Sequence, residues 1–118
     1  MKIVVLCSPY RGKTPEDVAE NLTYLNRCLR DSIERGEAPI ASHKLYPGAL
    51  NDDLAEERAL GMELQNFFIG CFETIVFYVD RGWSGGMLAE RALANNLHKL
   101  IVVRRLDEDN TDGEPEVA

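Results

Sequence analysis

The 118-residue sequence has few of the residues that build metal or disulfide sites. It contains three cysteines, Cys7, Cys28 and Cys71, and two histidines, His43 and His98. The cysteines are odd in number and lack C-x-x-C spacing, and the histidines form no H-x-x-x-H pair, so we expect neither a disulfide framework nor a metal site. Each cysteine lies in or beside an apolar stretch, which predicts reduced, buried thiols and a cytoplasmic protein.

The sequence also lacks a long apolar run and a basic surface pattern. The first apolar run ends at Ser8 and Pro9, which is too short for a signal-peptide core or a membrane span. No stripe of basic residues with interleaved aromatics is present, so we do not expect a nucleic-acid polymer as a partner. This pattern does not exclude a free nucleotide as a ligand.

Acidic charge is concentrated at one end of the chain. The net charge is −7, but six of the 20 acidic residues lie in residues 107–118, so the remainder of the chain carries −1. This tail contains Gly and Pro and no aromatic residue, which predicts a solvated, disordered end. Residues 1–106 are predicted to form a single domain, because a chain of this length buries enough surface for one core.

The apolar pattern predicts strands that alternate with helices. Strand-like runs occupy residues 3–7, 38–43, 73–80 and 99–105. The predicted helices begin at the caps Thr14, Asp53 and Ser84, and the second has a buried stripe of Leu54, Leu60, Leu64, Phe67 and Phe68. Alternation of this kind requires right-handed crossovers and a parallel sheet. We therefore predict a flavodoxin-like or Rossmann-like α/β three-layer sandwich with a parallel sheet of four to five strands.

Ligands of such sheets bind beyond the carboxyl ends of the strands. The loops after Cys7, Ile40 and Val79 are therefore the candidate site. At the start of the third helix, Ser84-Gly85-Gly86 offers a hydroxyl, bare amides and the positive end of the helix dipole to an anion. The alternative is an ordinary serine cap beside glycines that relieve packing, and the spacing is neither a P-loop nor a G-x-G-x-x-G motif.

Two carboxylates lie near this predicted anion site. Glu90 is one helical turn after Gly86 and leans back over it, and Asp80 ends the third strand. Paired carboxylates suit cleavage of a glycosidic bond, in which one attacks the anomeric carbon and the other manages a proton. The alternatives are a solvated Glu90 that pairs with Arg58 or Arg91, and an Asp80 that only begins a turn.

Two segments resemble the nucleoside 2-deoxyribosyltransferase family, and within it the 2'-deoxynucleoside 5'-phosphate N-hydrolases. The loop Cys7-Ser8-Pro9-Tyr10-Arg11-Gly12 resembles the family pattern Cys-Gly-x-x-Arg-Gly. Ser84, Gly86, Glu90 and Ala94 match Ser-x-Gly-x-x-x-Glu-x-Gly-x-Ala, with Ala92 in place of the second glycine. A group of small bacterial and phage proteins carries a similar Ser-x-Gly-Met-x-x-Glu helix, which Ser84 to Glu90 resembles.

The resemblance implies roles for these residues. Glu90 would be the nucleophile, Asp80 would assist protonation of the departing base, and Tyr10 would orient Glu90 or the sugar. The 5'-phosphate would be held by Ser84, Gly86 and Arg11. The other substrate-binding residues in these segments are Ser8, Gly12, Gly85 and Met87, while His43 either reads the base or makes a structural hydrogen bond.

We therefore expect an enzyme without a cofactor that cleaves the N-glycosidic bond of a small nucleotide, with either water or a second base as acceptor. The alternatives are a module that binds a nucleotide or an ADP-ribose-like ligand without cutting it, and an interaction protein that has lost the chemistry. Trp83 stacks on the base or packs against the third helix. The resemblance, together with the apolar content of residues 60–68, favours a homodimer or larger assembly.

Overall fold

The computed structural model describes residues 1–106 as four strands that alternate with helices. The predicted acidic tail, residues 107–118, lies outside the described residues. Within residues 1–106, no helix is long and apolar enough to cross a membrane. The elements are β1 (Lys2–Cys7), α1 (Pro15–Glu34), β2 (Glu37–Ile40), α2 (Ser42–Leu45), α3 (Ala55–Cys71), β3 (Thr74–Tyr78), α4 (Gly85–Asn96) and β4 (Leu100–Arg104).

The four strands form one parallel sheet in the order β2-β1-β3-β4. Val5 of β1 pairs with Ile40 on one side and with Ile75 on the other. All five residues of β3 and the last four of β1 are buried, as continuous apolar runs in parallel sheets require. The predicted flavodoxin-like class is confirmed, with four strands.

The helices cover both faces of the sheet and create the three predicted layers. Tyr24, Leu25 and Cys28 of α1 pack with Val4 and Leu6 of β1 on one face. On the opposite face, α3 and α4 pack through Ile69, Met87 and Ala94 against β1 and β3. Since the helices that follow β1 and β3 lie on opposite faces, the chain opens a crevice between the carboxyl ends of these two strands.

The start of α1 is as predicted. The Thr14 hydroxyl accepts a hydrogen bond from the Asp17 amide, and Asp17 bonds back to the Thr14 amide in a capping box. A side chain at Gly12 would overlap that of Asp17. The absence of a side chain at Gly12 therefore lets the loop after β1 lie against the capping box.

Beneath α1, a buried ion pair joins the two edge strands. Both guanidinium nitrogens Nη1 and Nη2 of Arg104 in β4 donate to Glu37 of β2 at 2.7 Å. Arg104 Nη1 also donates to the Tyr78 hydroxyl at 3.2 Å, which in turn donates to Asp31 of α1 at 2.6 Å. Burial raises the pKa of Glu37, but the hydrogen bonds from Arg104 and Ser32 outweigh it and lower the pKa overall.

The second predicted helix differs from the observed α3. It begins after Leu54 with no side-chain cap, so the cap predicted at Asp53 is wrong. The predicted stripe is also wrong, because Leu54, Leu60 and Phe67 are each at least 45% exposed. The residues that α3 buries are Gln65 and Ile69, which lie one helical turn apart on a face that includes a polar side chain.

Two further predictions need correction. The second strand ends at Ile40 instead of continuing to His43, and Ser42–Leu45 forms a short helix, α2. Cys71 is exposed near the end of α3, whereas Cys7 and Cys28 are buried as predicted. The pairing of β2 with β1 ends at Ile40 opposite Val5, and the chain then turns into α2.

Candidate active site

A cavity of about 570 Å³ lies at the carboxyl edge of the sheet, on the face covered by α3 and α4. It brings together nine of the eleven residues that the sequence predicted for the site. The loop after β1 contributes Ser8, Tyr10 and Arg11, α2 contributes His43, and the start of α4 contributes Ser84, Gly85, Gly86, Met87 and Glu90. The remaining wall is formed by residues drawn from the segment 42–66 and by Ala89 and Leu93 of α4.

The start of α4 forms an open, positively polarised end in this cavity. The Ser84 Oγ caps the helix and accepts a hydrogen bond from the Met87 amide at 3.1 Å, and the first turn holds no acidic residue. A side chain added at Gly85 would meet nothing within 4 Å, and one at Gly86 would meet only Ser84 Oγ at 3.9 Å. The two glycines therefore leave free space beside helix amides that favour an anion.

Glu90 is a buried carboxylate one turn further along α4. Its exposed fraction is 8%, and burial raises its pKa to about 7, although hydrogen bonds from Gln65 and Cys7 act in the opposite direction. Glu90 is therefore not the solvated charge of the alternative interpretation. Arg91 instead places its guanidinium over the Trp83 ring at 4.8 Å, and neither Arg58 nor Arg91 contributes to the pKa of Glu90.

Gln65 and Cys7 both act to lower the pKa of Glu90; Cys7 belongs to the first motif segment, whereas no motif in the sequence indicates Gln65. Gln65 is 2% exposed, and its Nε2 donates to Cys7 Sγ at 3.4 Å. Burial, followed by the charge of Glu90, raises the pKa of Cys7 well above its ordinary value, so the thiol keeps its proton. Cys7 begins the loop that resembles the family pattern, although no role was predicted for it, and a lone glutamine in a helix indicates no function.

Aromatic and hydroxyl groups form the opposite wall. The rings of Tyr10 and His43 stack with their centroids 4.8 Å apart. Burial lowers the pKa of His43 to about 4 against the opposing charge of Asp52, so the imidazole is neutral at pH 7. Within residues 1–106, the buried hydroxyls of Ser8 and Ser42 have no hydrogen-bond partner, and both residues line the cavity.

Cationic groups lie at the rim of the cavity. Arg11 pairs with Asp52 at 3.2 Å, and its side chain is 56% exposed. Arg58 of α3 lines the same cavity. No group of three or more His, Cys, Asp or Glu residues is arranged for a metal ion within the part of the chain that the structure describes. The cavity thus combines one buried carboxylate with two arginines and an open helix start.

The structure does not bring Asp80 and Gly12 into the cavity. The Asp80 carboxylate accepts hydrogen bonds from the Tyr24 hydroxyl and from the Leu106 amide, on the side of the sheet that α1 covers. Gly12 is explained by its packing against Asp17. Trp83 also lies outside the cavity lining, and it packs against Phe77 at 5.0 Å between ring centroids, which favours the packing interpretation over base stacking.

A family model described as a domain of unknown function, DUF7768, matches residues 2–104. The chain belongs to the DUF7768 family. The match spans every strand and helix, including both segments that contribute predicted site residues. Among curated protein sequences, none matches this DUF7768 chain significantly.

Two solved structures share the fold of this DUF7768 chain. A 2-deoxyribosyltransferase from Bacillus psychrosaccharolyticus superposes with a TM-score of 0.66 at 13% identity, over 87% of this chain and 72% of the other. A 2-desoxiribosyltransferase from Leishmania mexicana gives 0.52 at 13% identity, over 91% of this chain and 66% of the other. At such identity the similarity shows a common fold, and fold does not determine function.

Proposed function

We propose that this protein cleaves the N-glycosidic bond of a small nucleotide, a 2'-deoxynucleoside 5'-monophosphate, with Glu90 as the nucleophile. The observation that carries the proposal is the position of Glu90, a buried carboxylate one helical turn from an open helix start in the same cavity. A helix start suits a phosphate, and a carboxylate suits the anomeric carbon. The shared fold of the two solved transferases supports the same class of reaction.

The proposed chemistry proceeds in two steps. The Glu90 carboxylate attacks C1' while the bond from C1' to the base nitrogen breaks, and the base leaves with that electron pair and takes up a proton. The resulting glycosyl ester on Glu90 is then attacked by water, or by a second base, which restores the carboxylate and retains the configuration at C1'. Water as acceptor gives hydrolysis, and a second base gives transfer.

Phosphate binding would use the charges that surround the start of α4. The resemblance assigns this task to Ser84, Gly86 and Arg11, and Arg58 adds a second cation from α3. A guanidinium matches a phosphate in geometry as well as in charge. We therefore expect a nucleotide to bind more tightly than the nucleoside that lacks the phosphate.

The proton for the departing base must come from a group inside the cavity. Asp80 is therefore not part of this proposal. Tyr10 lines the cavity, and its phenol stays protonated because burial raises its pKa. Tyr10 can thus donate a hydrogen bond to the base. Its stack with His43 fixes the direction of the ring.

We also propose a homodimer or larger assembly in the cytoplasm. Leu60, Met62 and Phe67 of α3 are 45%, 53% and 67% exposed, and exposed apolar side chains on one helix favour a partner surface. The free, buried Cys7 and Cys28 suit a reducing compartment. Light scattering after size exclusion tests the assembly, and a monomer at micromolar concentration would contradict it.

The decisive experiment measures free base by chromatography after incubation with each deoxynucleoside and ribonucleoside 5'-monophosphate. We expect wild type to release base from a deoxynucleotide, Glu90→Ala to release none, and the exposed-site control Glu63→Ala to match wild type. Binding of the nucleotide to Glu90→Ala, measured by calorimetry, should persist or strengthen because a like charge is removed. If no substrate is cut but one raises the melting temperature, the protein is a nucleotide-binding module instead.

A further inference from the structure

Two segments that line the cavity are joined by an ion pair at its rim. Arg11 lies in the loop after β1, and Asp52 lies in residues 46–54, the connection between α2 and α3. Arg11 Nε and Asp52 Oδ2 are 3.2 Å apart, and both residues line the cavity. This closest contact uses the innermost nitrogen of a guanidinium that has five N–H donors. Most of these donors are therefore left for a ligand.

The backbone on the Arg11 side of the pair is fixed by α1. Asn21 is 5% exposed, and its Nδ2 donates to the carbonyl oxygens of Tyr10 at 3.1 Å and of Arg11 at 3.3 Å. Two residues further along, the Lys13 amide donates to Asp17 Oδ2 at 3.0 Å. The loop that carries Arg11 is thus bonded to the first half of α1.

The backbone on the Asp52 side is fixed by a turn around Asn51. The Asn51 Oδ1 accepts from the Asp53 amide at 3.0 Å, and the Asn51 carbonyl accepts from the Leu54 amide at 3.1 Å. The Asn51 amide donates to Glu57 Oε1, in the first turn of α3, at 3.1 Å. Both charged side chains therefore extend from a fixed backbone, and their remaining freedom lies in the side-chain torsions.

We propose that Asp52 is a positioning residue that holds the Arg11 guanidinium at the rim of the cavity for the phosphate of the ligand. The inference rests on the proposed function, because it assigns Asp52 to a residue that would bind the 5'-phosphate. Asp52 would not touch the phosphate. It would act by holding a long side chain in one orientation before the ligand arrives.

The exposure of the pair favours a role in binding over a role in stability. The side chains of Arg11 and Asp52 are 56% and 37% exposed, and exposed ion pairs contribute little to folding because water screens them. An arginine that is mobile in the unbound protein loses rotamer freedom when it binds a phosphate. Asp52 restricts that freedom before binding, so the entropy lost on binding is smaller.

A purely electrostatic argument predicts the opposite effect of Asp52. A carboxylate close to the phosphate site repels the dianion, and its pairing with Arg11 competes with the ligand. If that effect dominated, removal of the Asp52 charge would tighten nucleotide binding. The sign of the change in affinity therefore distinguishes the two roles.

The test compares Asp52→Asn with Asp53→Asn by calorimetry. Each substitution removes one negative charge and keeps the shape of the side chain, but Asp53 is exposed and lies outside the cavity lining. Both are made in Glu90→Ala, which is expected to bind substrate without cutting it. The probes are the deoxynucleoside 5'-monophosphates and the matching deoxynucleosides, which differ only in the phosphate. Melting temperatures establish that each variant is folded.

We expect Asp52→Asn to weaken nucleotide binding by about threefold to tenfold, the range for the ordering of one long side chain. Deoxynucleoside binding should not change, and Asp53→Asn should match its Glu90→Ala parent. When Arg11→Gln is also present, Asp52→Asn should have no further effect, since the two residues act as a unit. Unchanged or tighter nucleotide binding in folded Asp52→Asn would overturn the proposal, and so would an equal loss in the presence of Arg11→Gln.

These affinities are independent of the cleavage assay. If nucleotide binding depends on Asp52 but wild type releases no base, the proposed chemistry fails and the positioning role stands. If wild type releases base while nucleotide affinity does not depend on Asp52, the positioning role alone fails. If no nucleotide binds, both fail.

Discussion

The Tyr24 hydroxyl donates a hydrogen bond of 2.6 Å to Asp80 Oδ1 and accepts one of 3.0 Å from the Asp80 amide. The same carboxylate accepts from the Leu106 amide at 2.9 Å. Burial, together with the Asp80 hydrogen bond, raises the pKa of Tyr24 far above its ordinary value. Asp80 therefore ties α1 and the segment after β4 to the end of β3.

Removal of the Tyr24 hydroxyl should cost stability and leave chemistry intact. In Tyr24→Phe the Asp80 carboxylate and amide each lose a partner, so the free energy of unfolding should fall by about 1 to 3 kcal/mol, measured by urea denaturation. The kcat per folded molecule should stay within about threefold of wild type, well under the tenfold that corresponds to 1.4 kcal/mol in a barrier. A large loss of kcat with unchanged stability would contradict this expectation and show that Asp80 takes part in the reaction.

Neutralisation of Glu90 should stabilise the fold at high pH. Its folded pKa of about 7 lies above the ordinary value of 4.5, so the folded state holds the proton more tightly and stability falls as pH rises from about 4.5 to 7. Above that window the penalty is complete. Glu90→Gln should therefore be more stable than wild type by up to about 3 kcal/mol at pH 8 and nearly equal at pH 4.5, measured by urea denaturation at both pH values.

The ionisation of Glu90 should also determine how the activity depends on pH. Because the nucleophile must be ionised, kcat/KM should rise about tenfold per pH unit below pH 7 and level off above it. A bound phosphate would raise the Glu90 pKa further through its negative charge. The acid side of the kcat profile should therefore level off at a higher pH than that of the kcat/KM profile. Steady-state kinetics from pH 5 to 9 measures both. A profile without an acid limb in this range would exclude ionised Glu90 as the nucleophile.

A methyl group at Gly86 should weaken nucleotide binding without destabilising the fold. The added Cβ meets only Ser84 Oγ at 3.9 Å, so Gly86→Ala should keep or raise the melting temperature, since alanine favours helices over glycine by up to about 1 kcal/mol. The methyl occupies space beside the helix start, so nucleotide affinity should fall about tenfold, the equivalent of 1.4 kcal/mol.

Gly70→Ala is the matched control for this substitution, because Gly70 lies in α3 with nothing within 4 Å and outside the cavity lining. It should raise the melting temperature and leave affinity unchanged. Calorimetry measures affinity, and equal affinities of wild type and Gly86→Ala would show that the ligand does not approach this glycine.

Strong local signals made much of the fold predictable. The continuous apolar runs of β1 and β3, the Thr14 cap and the Ser84 cap each appear where the sequence predicted them. The face of α3 was not predictable, because large apolar residues such as Phe67 point outward while Gln65 points inward. Local hydrophobicity does not show that a polar side chain has hydrogen-bond partners on two other elements, here Ser42 of α2 and Cys7 of β1.

The sequence predicted most residues of the candidate site correctly, but it misplaced Asp80. Residues within the two motif segments reach one cavity because β1 and β3 are neighbours whose carboxyl ends meet at one edge. Asp80 follows β3 as predicted, yet its carboxylate lies on the side covered by α1. After a strand ends, the conformation of the turn decides on which face of the sheet the next side chain lies. The sequence has no periodic pattern in this turn, so it does not indicate the face.

The buried pair between Glu37 and Arg104 makes the order of synthesis matter. A ribosome delivers the first three strands before the fourth, so for that interval Glu37 and the Tyr78 hydroxyl lack the guanidinium that joins them in the finished protein. A carboxylate in that position stays hydrated until its cation arrives, since burial of an unpaired charge is costly. Closure of the sheet beneath α1 therefore awaits the emergence of residue 104, which carries the cation that Glu37 and the Tyr78 hydroxyl share.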